Sequence, residues 1–141
     1  MASARRTRRA GVEIRPAKRG DMTAVRGLIG LHPEHLVQTN LPRVASFFVA
    51  DYRGTLVGCC ALQVYSKRMA EVRSLAVHRD FQNRGLASRL VARCIERARE
   101  RGINELFAVT SATSFFERLG FATFRREKTA MFYELKTQAS R

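Results

Sequence analysis

Hydrophobic positions change period several times along the 141-residue chain, and each change marks an element. Val12 and Ile14 alternate with Glu13 and Arg15 and stop at Pro16, which predicts a short first strand. Met22, Val25, Leu28 and Ile29 recur at helical spacing, with Asp21 placed to cap the helix and Gly30 to end it. Residues 30–45 carry no period: His32, Pro33, Glu34, His35 and Pro42 read as a connector, of the kind that elsewhere rims substrate sites. Two apolar, β-prone runs at 46–52 and 55–65 flank Arg53-Gly54 and predict an antiparallel hairpin. Lys67 and Arg68 turn the chain into a third strand of this meander, residues 71–77.

The second half is helical before it is extended again. Leu86, Leu90, Val91, Cys94, Ile95 and Ala98 fall on one side of a helix over 86–101, Arg89, Arg93, Glu96, Arg97 and Glu100 fall outside it, and Gly102 closes it. Residues 105–110 then predict a buried strand, parallel to the strand of Glu71 because a helical crossover joins them. A short helix follows, capped by Ser111 or Thr113, with Phe115, Phe116 and Leu119 inward and Gly120 at its end. Residues 121–124 and 129–135 read as a last pair of strands. The class is α/β with a sheet of mixed polarity.

Composition narrows the picture. The length suits one domain over residues 12–138, and no apolar run is long enough to cross a bilayer. Cys59, Cys60 and Cys94 form neither a disulfide framework nor a metal-ligand spacing, so a cytoplasmic location is expected. The net charge of +14 is the unusual feature. Seven of the first twenty residues are Lys or Arg against one acid, and residues 1–11 read as a disordered basic arm. An acid-free start with Arg and Ser is also the composition of transit peptides, although this arm is short for one.

Candidate chemistry concentrates between residues 70 and 98. After the strand of Glu71, a polar turn leads to Gly85 and the small Ala87 at a helix entrance, where unpaired amides face outward and a backbone without bulk lets an anion approach. That is a phosphate seat. The third glycine of a dinucleotide fingerprint and the Gly-Lys-Ser/Thr of a nucleotide P-loop are both missing. His32, His35 and His78 lie at turns and read as solvated, and no set of His, Cys and carboxylates makes a metal site.

The run Gln82-Asn83-Arg84-Gly85-Leu86-Ala87 resembles the acyl-CoA-binding signature of the GNAT superfamily of N-acyltransferases, Gln/Arg-x-x-Gly-x-Gly/Ala. Its context strengthens the likeness: a strand ending Leu-Ala-Val-His precedes it, an amphipathic helix follows, and Phe-Phe-Glu-Arg-Leu-Gly-Phe comes one strand later. Ile14-Arg15-Pro16-Ala17 looks like the start of that fold, so the resemblance covers residues 12 to about 135. Residues 70–77, 109–111, 115–118 and 129–133 look most like the acetyltransferase domain of bacterial N-acetylglutamate synthases, without the amino-acid-kinase-like domain that many of those carry.

The resemblance implies a mixed sheet with a splayed parallel strand pair, acetyl-CoA as co-substrate and no metal. It further implies that the backbone of Gln82, Asn83, Arg84, Gly85, Leu86 and Ala87 holds the pyrophosphate, to which the Ser88 hydroxyl would add. Leu75, Ala76 and Val77 would pair with the pantetheine arm, the Leu75 amide polarising the thioester carbonyl. Glu71 stands where several GNAT enzymes hold a general base; an acceptor amine of pKa about 10 is mostly ammonium at neutral pH and must lose a proton. The alternative for Glu71 is a solvated strand glutamate. Arg73, two residues on and about 6.6 Å away on the same face if no bulge intervenes, would bind the carboxylate of an amino-acid acceptor, or else serve as a structural partner of Glu71. The tyrosine that usually meets the leaving thiolate is Phe116 here, with Tyr133, Thr110, Ser114 or water as substitutes.

The expected activity is transfer of an acetyl group from acetyl-CoA to a primary amine, a small molecule or glutamate-like amino acid first, a protein N-terminus or lysine second. An acyl-CoA sensor or a nucleic-acid-associated module is the alternative of another class. Nucleic acid is expected to meet the chain only through non-specific contact of the basic arm, and no membrane is involved. The resemblance permits a homodimer through edge strands and does not require one.

Overall fold

A computed structural model describes residues 11–123 together with residues 131, 133 and 135. The basic arm through residue 10 and the greater part of the expected last strand pair lie outside the described residues; residues 121–123 are not in a strand. The chain divides into one compact unit up to Ser111 and a second from Ala112.

The first unit is a five-stranded sheet in the order β1-β2-β3-β4-β5. β1 (Val12–Pro16), β2 (Phe47–Tyr52), β3 (Thr55–Val64) and β4 (Met69–Val77) are antiparallel neighbours, and β5 (Glu105–Phe107) joins β4 in parallel. Arg53 and Gly54, at φ +50° and +92°, make the mirror-image turn that suits the right-handed twist of the β2–β3 hairpin. The β3–β4 turn is held by Ser66, whose hydroxyl accepts from the amides of Arg68 (3.1 Å) and Met69 (3.2 Å).

Two helices cover the sheet. Helix α1 (Met22–Gly30) buries Val25, Leu28 and Ile29 in a cluster with Phe47, Val49, Cys59, Ala61 and Ala76, each large side chain contributing roughly 1.5–3 kcal/mol by leaving water. Helix α2 (Leu86–Glu100) buries Leu86, Leu90, Val91, Cys94 and Ala98, as the pattern predicts. Arg97 departs from the expected outward face: its guanidinium lies 4.0 Å from the centre of the Phe48 ring, and it donates to the carbonyl of Ala45 at 3.2 Å.

Asp21 does not cap α1. Its carboxylate turns back to accept from the Lys18 amide (2.7 Å) and from both terminal nitrogens of Arg15 (2.7 and 3.2 Å), because a fork-shaped guanidinium offers two charge-assisted bonds where a helix amide offers one. Arg15 also reaches Asp51 on β2 at 3.2 Å, tying β1 to its neighbour and to the start of α1. Within the second unit, α3 (Thr113–Arg118) places Phe116 in edge contact with Phe115 and Phe121. No helix among the described residues is long and apolar enough to cross a membrane.

Candidate active site

The site is organised by an irregularity in β4. Ala76 pairs with Cys59 and Arg73 with Ala61, so Ser74 and Leu75 together face the single residue Cys60. Ser74 absorbs the extra residue in the left-handed region, at φ +56°, and its carbonyl accepts from the Cys59 thiol at 3.4 Å. A bulge of this kind interrupts the ladder and redirects the strand.

On the other edge of β4 the parallel pairing is shorter than the sequence suggests. β5 matches only Met69, Ala70 and Glu71, through Glu105, Leu106 and Phe107, instead of running to residue 110. From Val72 onward β4 therefore continues without a partner strand on that edge among the described residues. The amide of His78 donates to Val57 on β3 at 2.8 Å, so by alternation Val77 directs its own backbone groups away from β3. The Val77 carbonyl receives two side-chain donors, Nε2 of His32 at 3.3 Å and Nε2 of Gln82 at 3.2 Å. His32 is thus a tie from the end of α1 to the end of β4, and not the solvated turn residue the pattern suggested. Two residues far apart in sequence meet on one carbonyl, a convergence that no local period reveals.

Beyond Val77 the chain makes a one-turn 3-10 segment, Arg79–Phe81, in which Nδ1 of His78 accepts from the Asp80 amide at 3.2 Å. Asn83 (φ +62°) and Gly85 (φ +79°) both adopt the left-handed conformation, and Gly85 is the residue from which α2 starts. The first hydrogen bond of α2 runs from the Arg89 amide to the Gly85 carbonyl, leaving the preceding first-turn amides without intrahelical acceptors. Gln82 differs from the rest of the hexapeptide: its amide bends back to Arg79 at 3.4 Å and its side chain braces Val77. The loop from Asn83 through Gly85 is exposed, with Arg84 stacked over Phe81 at 5.0 Å, and its geometry is suited to receive an anion.

Glu71 is the last residue of β4 that β5 pairs, and its carboxylate is not simply solvated. The Tyr65 hydroxyl donates to Oε1 at 2.6 Å, and Nε of Arg73 lies 3.9 Å from the same oxygen. The carboxylate beside it pushes the Tyr65 phenol above its ordinary range, so the hydroxyl remains a donor. Arg73 also donates to the carbonyl of Asn40 at 3.4 Å, which brings the segment after α1 to the rim of the site. The bulge begins just beyond Arg73, so Glu71 and Arg73 do share a face, as their spacing predicts. Tyr65 escaped the sequence reading because it looked like the last residue of a β-run. The available signal was its register: Gln63 pairs with Glu71, which sets Tyr65 one diagonal step away.

Other candidate groups are excluded as nucleophiles or ligands by their surroundings. Burial pushes the Cys59 thiol up to about 12. Cys60 is raised too, first by its contact with Cys94, whose sulfur lies 3.7 Å away. Among the described residues no three His, Cys, Asp or Glu side chains are grouped to hold a metal. Phe116, at the position where the resemblance implies a tyrosine, has no proton to offer.

Comparison with known proteins shows the family. Residues 22–121 match the family described as "Acetyltransferase (GNAT) family". An uncharacterised N-acetyltransferase of Chlorobaculum tepidum is 34% identical over 120 residues, covering 81% of this chain and 77% of that protein. The amino-acid acetyltransferase of Neisseria meningitidis serogroup A is 32% identical over 120 residues, which cover 79% of this chain and 28% of that longer protein. Among solved structures, N-acetylglutamate synthase of Neisseria gonorrhoeae, complexed with coenzyme A and N-acetyl-glutamate, superposes with a TM-score of 0.67 at 33% identity, over 76% of this chain and 27% of its own. The family match over residues 22–121 and the relatives at more than 30% identity show that the chain belongs to the GNAT family of acetyltransferases.

Proposed function

We propose that the protein transfers the acetyl group of acetyl-CoA to the amine of a small α-amino acid. The observation that carries this reading is the placing of Glu71, paired by Tyr65 and Arg73, at the point where β5 stops and β4 runs on toward the glycine loop. The loop suits a pyrophosphate: two left-handed residues shape it, Gly85 adds no side chain, and the first-turn amides of α2 add the helix dipole. Asn83, Arg84, Gly85, Leu86, Ala87 and Ser88 would hold the phosphates, with Gln82 bracing the loop. Acetyl-CoA supplies an activated acyl group as a thioester.

The other parts follow from their positions. Leu75, at the bulge, would aim its amide at the carbonyl oxygen of the acyl group, where a fixed dipole meets negative charge as it develops. Ala76 and Val77 would line the pantetheine arm. Glu71 accepts a proton from the acceptor ammonium, directly or through one water, releasing the lone pair that attacks. Arg73 receives the acceptor's carboxylate; its contacts to Glu71 (3.9 Å, through Nε) and to the Asn40 carbonyl (3.4 Å, through Nη2) are both long, so a charged ligand can compete for them. The leaving thiolate needs no assigned acid, since a thiol of pKa about 8.5 is a fair leaving group.

Release of free CoA, measured against a panel of amines, amino acids and peptides, tests the reading. Amino acids are expected to be substrates, and Glu71→Gln is expected to lower kcat by about 10²–10⁴-fold with acetyl-CoA affinity retained. Arg73→Ala is expected to raise the KM of the amino acid; an unchanged KM would remove Arg73 from the acceptor site. Silence across the panel from a protein that binds acetyl-CoA would overturn the enzymatic reading.

A further inference from the structure

Beside Glu71 stand three apolar or aromatic side chains, Met69, Phe107 and Tyr65, of which only the Tyr65 hydroxyl enters the chemistry above. Met69 lies two residues before Glu71 on the same face of β4, and Phe107 on β5 is the direct partner of Glu71. Tyr65, the residue after β3 and diagonal to Glu71, stacks on Phe107 with ring centres 6.1 Å apart and planes inclined by 21°. Arg73 stands on the opposite side of Glu71, two residues further along β4. The face therefore reads, along the strand, as a thioether beside the Tyr65 ring, then the carboxylate flanked by the Phe107 ring, then the guanidinium. Successive same-face positions are spaced by about 6.6 Å.

An α-amino acid bound with its ammonium on Glu71 and its carboxylate on Arg73 can lay its side chain along the face on the side away from Arg73, against Met69, Tyr65 and Phe107. We infer that this trio is the side-chain subsite of the acceptor and that it selects an apolar or thioether side chain over a carboxylate. The inference rests on the amino-acid reading above and departs from the glutamate-like acceptor expected from the resemblance. Its physical basis is charge. Among the described residues Arg73 is the one cation in contact with Glu71, and the α-carboxylate occupies it. A second carboxylate would lie against a thioether and two ring faces that offer it no charge, and it would be repelled by Glu71. A methyl, thioether or phenyl group would instead exchange water for contact with Met69 and the ring faces, and sulfur packs well against aromatic edges. Tyr65 and Met69 are 55% and 40% exposed, so both are within reach of a small molecule.

The test is acetyl transfer by the full chain to L-methionine, L-leucine, L-phenylalanine, L-glutamine and L-glutamate at equal concentration, with acetyl-CoA binding followed separately by calorimetry. The wild type is expected to favour at least one of the three apolar acceptors over glutamate by tenfold or more in kcat/KM. Met69→Lys, at an exposed position, is expected to narrow or reverse that ratio by tenfold or more, by supplying a cation to a side-chain carboxylate. A wild type that prefers glutamate, or a Met69→Lys variant that binds acetyl-CoA normally with the ratio unchanged, overturns the subsite while leaving the amino-acid reading intact. No transfer to any amino acid, with normal acetyl-CoA binding, overturns both.

Discussion

The hydroxyl of Tyr65 donates to Oε1 of Glu71 across 2.6 Å, joining the end of β3 to the last residue of β4 that β5 still pairs. One carboxylate oxygen is thereby held by a neutral donor, and Arg73 approaches that same oxygen only loosely. Tyr65 is a positioning residue in this arrangement. Tyr65→Phe, which keeps the ring contact with Phe107 and removes the bond, is expected to lower kcat by roughly tenfold, as loss of one charge-assisted hydrogen bond would. The KM for acetyl-CoA should be unchanged. Ultraviolet difference titration supplies a second readout. One tyrosine should ionise above the ordinary value in the wild type and fall back toward it in Glu71→Gln.

Gly85 tests the glycine loop separately from the carboxylate. A Cβ at this position meets nothing within 4 Å, so any penalty inside the protein comes from φ +79° and not from crowding. Gly85→Ala is expected to destabilise the fold by about 1–2 kcal/mol and to raise the Kd of acetyl-CoA by about tenfold. Gly85→Asn, which tolerates the left-handed region, should recover most of the stability. If it also recovers the affinity, backbone shape is what matters; if the affinity stays low, the absence of a side chain beside the phosphates is.

Gly58 is the opposite case. Its φ is ordinary, but a Cβ there would stand 3.1 Å from Leu90 Cδ1 on α2 and 3.3 Å from the Ala50 Cβ on β2. Gly58→Ala is expected to cost about 1–3 kcal/mol, read as a lower Tm, because a packed interface absorbs an added methyl only by moving α2 away from the sheet. Since Leu90 lies on the helix that starts at the glycine loop, weaker acetyl-CoA binding should accompany the lower Tm.

The Arg15–Asp21 pair predicts an acid-dependent difference in stability. The Arg15 guanidinium, ahead of the Lys18 amide, holds the Asp21 carboxyl below its ordinary value of 3.8. A depressed carboxyl contributes its stability in full above the unfolded-state value and loses it as pH falls through the folded-state value. Arg15→Ala should therefore be less stable than the wild type by about 1–3 kcal/mol at neutral pH, and the gap should close only as pH drops below 3.8. Denaturant unfolding at neutral pH and at several acid values measures it; a gap independent of pH would mean that Arg15 acts through packing alone.

Local patterning determined a good deal by itself. The period-2 and period-3.6 stretches place β1 through β4, α1 and α2 within about two residues, because each element buries one face and that face must repeat along the chain. The glycine loop was legible for a related reason: a left-handed residue at a helix start leaves a glycine in the sequence. What only the tertiary structure decided depends on partners distant along the chain. Residues 105–110 look uniformly strand-like, yet β5 ends at Phe107, and that limit sets where the sheet opens beside Glu71. The bulge at Ser74 comes from the register of β3 against β4, for which a serine gives no sign. Asp21 reads as a cap until Arg15 folds over it, and His32 reads as a turn residue until Val77 lies beneath it. Tyr65 becomes a partner of Glu71 only when the hairpin closes. Sequence spacing settles which face a side chain occupies; the proposed acceptor subsite depends on which faces meet, a property of strand order and register that no single segment contains.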